Sequence, residues 1–288
     1  MTNEINLQAK FTNSEHIGNF ITVGKHKIHY LDKGEGEALL LVHTVGQSLY
    51  TWYRVYDALA EKYHVYAIDL PGQGYSTAAQ EDELSVDSIA DVLAEFLMEV
   101  GALYANVCAF SMGAIYALRM AQKYPGRVNR MVLVSPGGLT AQMPLFVRVL
   151  RIPVLRAIAA AMLNRNTIHT ILSRCFFDQT ALTDDTVKGY YTPLKAKEQR
   201  AAMVDMIAAF DETQTMESLR ETTHRILIVW GVDDRFHELE MAETFQSILK
   251  KAEFALVRNC GHIVQEEKPQ RLIEHIIDFI ENSLAAQG

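Results

Sequence analysis

Three groups suffice for acyl transfer: a serine to attack, a histidine to take its proton, and a carboxylate to hold the histidine. Ser111 stands in residues 104–121, Y-A-N-V-C-A-F-S-M-G-A-I-Y-A-L-R-M-A. The apolar run 107–110 has the size of a buried strand, and 112–121 reads as a helix. Ser111 separates them, with Ala109 two residues before and Gly113 two after. Small residues on both sides permit a tight strand-to-helix turn that lifts the hydroxyl out of the sheet. The same turn sets the Met112 N–H at a helix N-terminus, where negative charge is stabilised. Taken alone, the pattern also fits a serine that merely caps a helix.

The other two groups follow in the order acid, then histidine. The apolar run 225–230 ends in Gly231-Val-Asp-Asp-Arg-Phe, and the run 254–257 leads into Asn259-Cys-Gly-His-Ile. Asp234 and His262 therefore fall just beyond strand ends, on the rim where parallel sheets place their ligands. Asp234 also fits a helix cap or a solvated loop acid, Asp233 competes for its role, and His262 fits a loop histidine satisfied by backbone. Their joint placement with Ser111 favours catalysis. The loop His43-Thr-Val-Gly offers a second oxyanion N–H from Val45, beside that of Met112. His43, and Asp69 in Asp69-Leu-Pro-Gly-Gln-Gly-Tyr-Ser, read as structural. No metal-ligand spacing and no nucleotide loop is found; His26 and His29 belong to a predicted hairpin.

The elements that must carry these groups alternate. Strands are expected at 20–23 and 26–31 around Gly24, then at 38–42, 64–70, 107–110, 131–135, 225–230 and 254–257. Helices are expected at 49–62, 85–100, 112–121, 238–250 and 269–284. Such alternation predicts a parallel sheet covered on both faces, an α/β fold. At Pro136-Gly-Gly the alternation stops, and 153–163, 166–176 and 195–211 look helical. The domain reading is a core of residues 1–138 and 223–288 with a helical cap, or lid, inserted at 139–222. Residues 1–16 look like a loose arm.

Composition narrows the class. A net charge of −8 argues against non-specific nucleic-acid binding. The polar N-terminus is no signal peptide, and the most apolar stretch, 157–163, is too short to span a bilayer. Cys108, Cys175 and Cys260 lie far apart, which suits buried thiols in a reducing compartment. Together these features point to a cytoplasmic enzyme.

Ala109-Phe-Ser-Met-Gly, Gly231-Val-Asp-Asp, Gly261-His and the loop from Asp69 to Ser76 resemble the α/β-hydrolase fold superfamily over about residues 20–285. The segments Leu133-Val-Ser-Pro-Gly-Gly-Leu, Phe177-Asp-Gln-Thr-Ala-Leu-Thr-Asp-Asp-Thr-Val-Lys-Gly-Tyr and Trp230-Gly-Val-Asp-Asp-Arg-Phe are similar to the meta-cleavage-product C–C hydrolases. The resemblance implies an eight-stranded, mostly parallel sheet, a helical cap and no cofactor. It also marks departures. Phe110 stands where that group has Asn, Tyr190 where it has a cap Arg, and Ile263 where it has Trp. Thr44 and Val45 replace its glycine-rich oxyanion loop. Thr44, Phe110, Tyr190 and Ile263 are thus the candidate pocket residues.

The resulting expectation is a serine hydrolase with the triad Ser111, Asp234 and His262, cleaving uncharged, fairly apolar carboxylic esters. A dienone carboxylate needs a fixed cation, which Tyr190 is not; Arg174 and Lys188 are the nearby alternatives. C–C hydrolysis, a carrier-linked acyl substrate and low-turnover ligand sensing remain as alternatives. For the second, Arg148, Arg151 and Arg156 would meet an acidic acyl carrier protein.

Overall fold

The computed structural model describes residues 8, 11–12, 18–79, 84–139, 145–210 and 212–281. Eight strands form one sheet: β1 (Asn19–Val23), β2 (His26–Lys33), β3 (Ala38–Val42), β4 (His64–Ile68), β5 (Ala105–Phe110), β6 (Val128–Val134), β7 (Arg225–Gly231) and β8 (Glu253–Val257). Their order is β1-β2-β4-β3-β5-β6-β7-β8. Only the β1–β2 and β2–β4 pairings are antiparallel. This is the eight-stranded, mostly parallel sheet that the resemblance implies.

The central strands β3 and β5 are buried on both sides because both faces of the sheet are covered there. Leu40, Val42, Val107 and Ala109 face one core layer; Leu39, Leu41, Cys108 and Phe110 face the other. The short helix α1 (Tyr56–Leu59) lies in the second layer, while α2 (Val86–Glu99) and α3 (Met112–Lys123) bury their apolar stripes in the first. Ser85 caps α2 by accepting the N–H of Ser88.

Between β6 and β7 the described α-helices are α4 (Leu145–Leu150), α5 (Pro153–Met162), α6 (Arg165–Cys175), α7 (Asp184–Tyr191), α8 (Lys197–Ala208) and α9 (Glu212–Glu221), with no strand among the described residues. The core then closes with α10 (Leu239–Ile248), α11 (Val264–Glu267) and α12 (Pro269–Glu281). The expected arm lies mostly outside the described residues, although Phe11 is buried against Tyr56.

One expectation fails. Residues 49–62 do not form one helix but a 3-10 turn, Leu49–Trp52, and then α1. Ser48 accepts the Tyr50 N–H, and Asp69 Oδ1 accepts the Leu49 N–H at 2.7 Å. These partners take the first amides away from a regular helix.

Candidate active site

The turn after β5 holds Ser111 at φ 52°, ψ −120°, a left-handed conformation that non-glycine residues rarely adopt. Its N–H donates to the Val134 carbonyl at 2.9 Å and its carbonyl accepts from Ala114. Gly113 is required by close approach: a Cβ there would lie 2.5 Å from the His43 carbonyl oxygen. The helix α3 thereby starts hard against the end of β3. Ser111, Met112, Thr44, Val45 and His262 all line one cavity of about 410 Å³.

His262 is buried, and its Nδ1 lies 2.7 Å from Asp234 Oδ2. Asp234 Oδ1 accepts the N–H groups of Phe236 and His237, each at 2.8 Å. Burial opposes ionisation of this carboxyl, but the His262 hydrogen bond and the charges around it keep its pKa below the usual carboxylate range. An ionised Asp234 makes His262 Nδ1 the donor and leaves Nε2 as the basic atom. Asp233 is not the partner of the imidazole; its backbone N–H donates to the Cys260 carbonyl. Of the two neighbouring acids, the geometry selects Asp234.

The loop after β3, expected to supply an oxyanion donor, is braced from below. His43 Nε2 accepts the Leu70 N–H at 3.0 Å, and its Nδ1 donates to the Thr44 carbonyl at 2.7 Å. Burial lowers the His43 pKa, so it stays neutral in this structural role. Asp69 accepts from His29 Nδ1 and from the N–H groups of Leu49 and Tyr75. The Met112 N–H donates to the Thr44 hydroxyl at 3.1 Å.

Two of the expected pocket residues are placed elsewhere. Phe110 and Ile263 are fully buried and do not line the cavity. Phe110 is the last residue of β5, its ring 4.9 Å from that of His262, and Ile263 belongs to the core layer beneath. Thr44 and Tyr190 do line the cavity. Apart from Gln47 and His237, the rest of its wall is apolar and comes largely from the helical segment: Ile168, Ile171 and Leu172 from α6, and Met203 and Ile207 from α8. Arg174 and Lys188 are exposed and outside it. Arg156 is engaged with Asp205 at 2.8 Å, and Arg151 donates to the Phe210 carbonyl.

Several groups in the site were not anticipated. His237 lines the cavity with its ring 4.6 Å from that of His262. Burial, then the neighbouring imidazole, push its pKa down to about 3, so it is neutral. Asp234, His237 and His262 lie close enough to hold an ion, but the Asp234 oxygens are already taken by three N–H donors. Glu267 Oε2 accepts the Gly261 N–H at 2.6 Å, while its Oε1 accepts those of Phe177 and Asp178 at 2.9 Å. His262 itself donates its backbone N–H to the Cys175 carbonyl at 2.7 Å. An acid five residues beyond a loop histidine was the only sequence signal for this brace.

A directional chain runs behind Tyr190. Gln265 donates to the Thr51 hydroxyl at 2.8 Å, Thr51 is 3.0 Å from the Tyr190 hydroxyl, and Tyr190 donates to Glu266. Burial pushes the Glu266 carboxyl up to about 8, against the lowering effect of the Tyr190 bond. The folded protein therefore holds a proton that the unfolded chain releases near pH 4.5. Stability is expected to fall as pH rises from about 4.5 to about 8, by on the order of several kcal/mol from this group. Glu266→Gln keeps an acceptor for Tyr190 and removes the titration. Urea unfolding at pH 5 and pH 8 should show a smaller loss in the variant; parallel losses would assign the pH dependence to other groups.

A strained serine turn at the C-terminal edge of a mostly parallel eight-stranded sheet is the mark of the α/β hydrolases. The chain belongs to that family: the match to the alpha/beta hydrolase fold spans residues 37–269. It is similar to the 2-hydroxy-6-oxo-6-phenylhexa-2,4-dienoate hydrolase of Burkholderia cepacia, 26% identical over 280 residues, covering 91% of this chain and 96% of that protein. A candidate lipase from Acinetobacter baumannii superposes with a TM-score of 0.82 at 22% identity, covering 97% of both chains. The meta-cleavage product hydrolase of Pseudomonas fluorescens IP01 gives a TM-score of 0.76 at 21% identity, covering 92% of this chain and 98% of its own. At those identities the two structures share the fold.

Proposed function

We propose that this hydrolase cleaves uncharged, fairly apolar carboxylic esters through an acyl-enzyme on Ser111. In this reading Ser111 Oγ attacks the acyl carbon while His262 Nε2 takes the hydroxyl proton. The N–H groups of Val45 and Met112 take up the oxyanion, with Met112 released from its bond to Thr44. His262 returns the proton to the departing alcohol. It then deprotonates the water that attacks the acyl-enzyme and returns that proton to Ser111 Oγ as the acid leaves. Asp234 holds the imidazole tautomer throughout. Residues 139–222 act as the cap, and α6 and α8 supply the acyl pocket. Three buried, unpaired thiols suit a cytoplasmic setting. Among the described residues, no helix is long and apolar enough to cross a membrane.

One observation carries the choice of substrate. No lysine or arginine among the described residues lines the cavity, and the Tyr190 hydroxyl in its wall is committed to a buried acid, Glu266. A dienone carboxylate would be desolvated there without a cation and beside another carboxyl group, at a cost of several kcal/mol. A neutral ester avoids that cost. The likeness to dienoate hydrolases favours C–C cleavage as the second reading.

Steady-state kinetics on p-nitrophenyl acyl esters and on a meta-cleavage dienone decide between them. The expected result is a kcat/KM at least tenfold higher for the best neutral ester. A higher value for the dienone would overturn the assignment. Slow turnover of every substrate, with tight binding, would favour ligand sensing.

A further inference from the structure

We propose that the outer face of the helical segment docks on the surface of an anionic phospholipid bilayer. The helix α5 is built the wrong way round for a helix that serves only to cover the core. Its inward contact with α8 is made by small residues, Ala160, the one buried residue of α5, and the partly buried Ala159, packed in one cluster with Val204 and Ala208, and by Arg156 on Asp205. Its large side chains point outward: Val154 and Met162 are each 68% exposed and Ile158 49%. Positions 154, 158 and 162 recur every fourth residue and form one stripe. Val149 and Ile152, exposed in the preceding turn, extend the apolar surface.

Charge identifies the occupant. The chain carries a net charge of −8, yet residues 145–177 contain five arginines and no acid. Arg156 and Arg165 pair with Asp205 and Asp184. Arg151 donates to the Phe210 carbonyl, and Arg148 and Arg174 are exposed. Aliphatic side chains flanked by arginine match the acyl boundary and the phosphate layer of an anionic bilayer, and a helix of this kind lies in the interface plane. The acidic remainder of the molecule is repelled by the same surface, which orients the docked protein. A second copy fits less well, because a two-fold contact sets the same arginines against each other. The stripe also lacks the Tyr and Trp anchors typical of protein interfaces. The next helix, α6, turns Ile168, Ile171 and Leu172 into the cavity. The docking face is therefore one helix away from the pocket.

Flotation of the full chain with vesicles tests this. Vesicles of equal parts phosphatidylglycerol and phosphatidylcholine should carry the protein at low salt; pure phosphatidylcholine should carry about tenfold less. High salt should weaken the binding. Ile158→Glu with Met162→Glu, and separately Arg148→Glu with Arg174→Glu, should each reduce it about tenfold or more. All these positions are exposed, so an unchanged melting temperature is expected and verifies folding. Flotation reads binding without turnover, so the result is independent of the ester reading. Absence of binding to the anionic vesicles at low salt would overturn the proposal. So would light scattering that shows a dimer dispersed by the first pair of substitutions.

Discussion

Ser111→Ala is expected to abolish labelling by a fluorophosphonate probe and to lower kcat by about four to six orders of magnitude. The reason lies in the turn after β5. Ser111 lines one cavity with His262 and with Val45 and Met112, the proposed oxyanion donors. No other serine among the described residues lines that cavity. The backbone stays as it is, because the Ser111 N–H to Val134 bond does not involve the side chain. The alanine protein should therefore melt near the wild-type temperature. Ser111→Gly makes the complementary point. Glycine accepts φ 52° without the steric conflict of a Cβ, so this variant should be inactive yet more stable, by on the order of 1 kcal/mol. Labelling that persists in Ser111→Ala would place the nucleophile elsewhere.

Asp234→Asn is expected to cost about 10⁴-fold in kcat, while Asp233→Asn should change it less than about tenfold. The asymmetry follows from three hydrogen bonds. The Asp234 Oδ1 accepts two backbone N–H groups, so an asparagine at 234 would keep its oxygen there. Its amide nitrogen would then face His262 Nδ1, where the carboxylate Oδ2 accepts at 2.7 Å. A donor at that place forces the imidazole proton onto Nε2, and the base loses the lone pair that must face Ser111. Asp233 makes its contact to the His262 loop through backbone, which an amide side chain leaves intact. Circular dichroism and melting temperature would check that both variants fold. The reverse order of effects would show that the acid is Asp233.

The sheet was legible because its central strands carry uninterrupted apolar runs, such as 39–42 and 226–230, that differ in composition from the loops between them. Residues 38–42 form a strand with those same bounds, and 225–230 and 254–257 extend by one residue each. The helical segment was read more coarsely. α7 was missed although Thr183, followed by Asp184 and Asp185, is a recognisable helix start, with the Thr183 hydroxyl accepting the Thr186 N–H. The helix expected over 49–62 failed because its partners, above all Asp69, are distant in sequence. The same limit hid His237, Glu266 and Glu267. What matters about each is which distant group it meets, and no local pattern encodes that. Phe110 was misread for another reason. Strand alternation puts it on the same face as Cys108, under the sheet, whereas the family position had suggested a pocket residue.

The carboxylate of Glu267 ties the amide of Gly261 to those of Phe177 and Asp178, and the His262 amide is tied to Cys175. Residues 175–178 and the histidine loop are thus one mechanical piece, although they are remote in the chain. For protein engineering this moves the seam. A chimera that exchanges the whole of residues 139–222 for the corresponding segment of a relative would cut through the brace and loosen the imidazole. The exchangeable unit is smaller: the helices before Cys175, with residues 175–178 kept alongside 260–267 from the same parent.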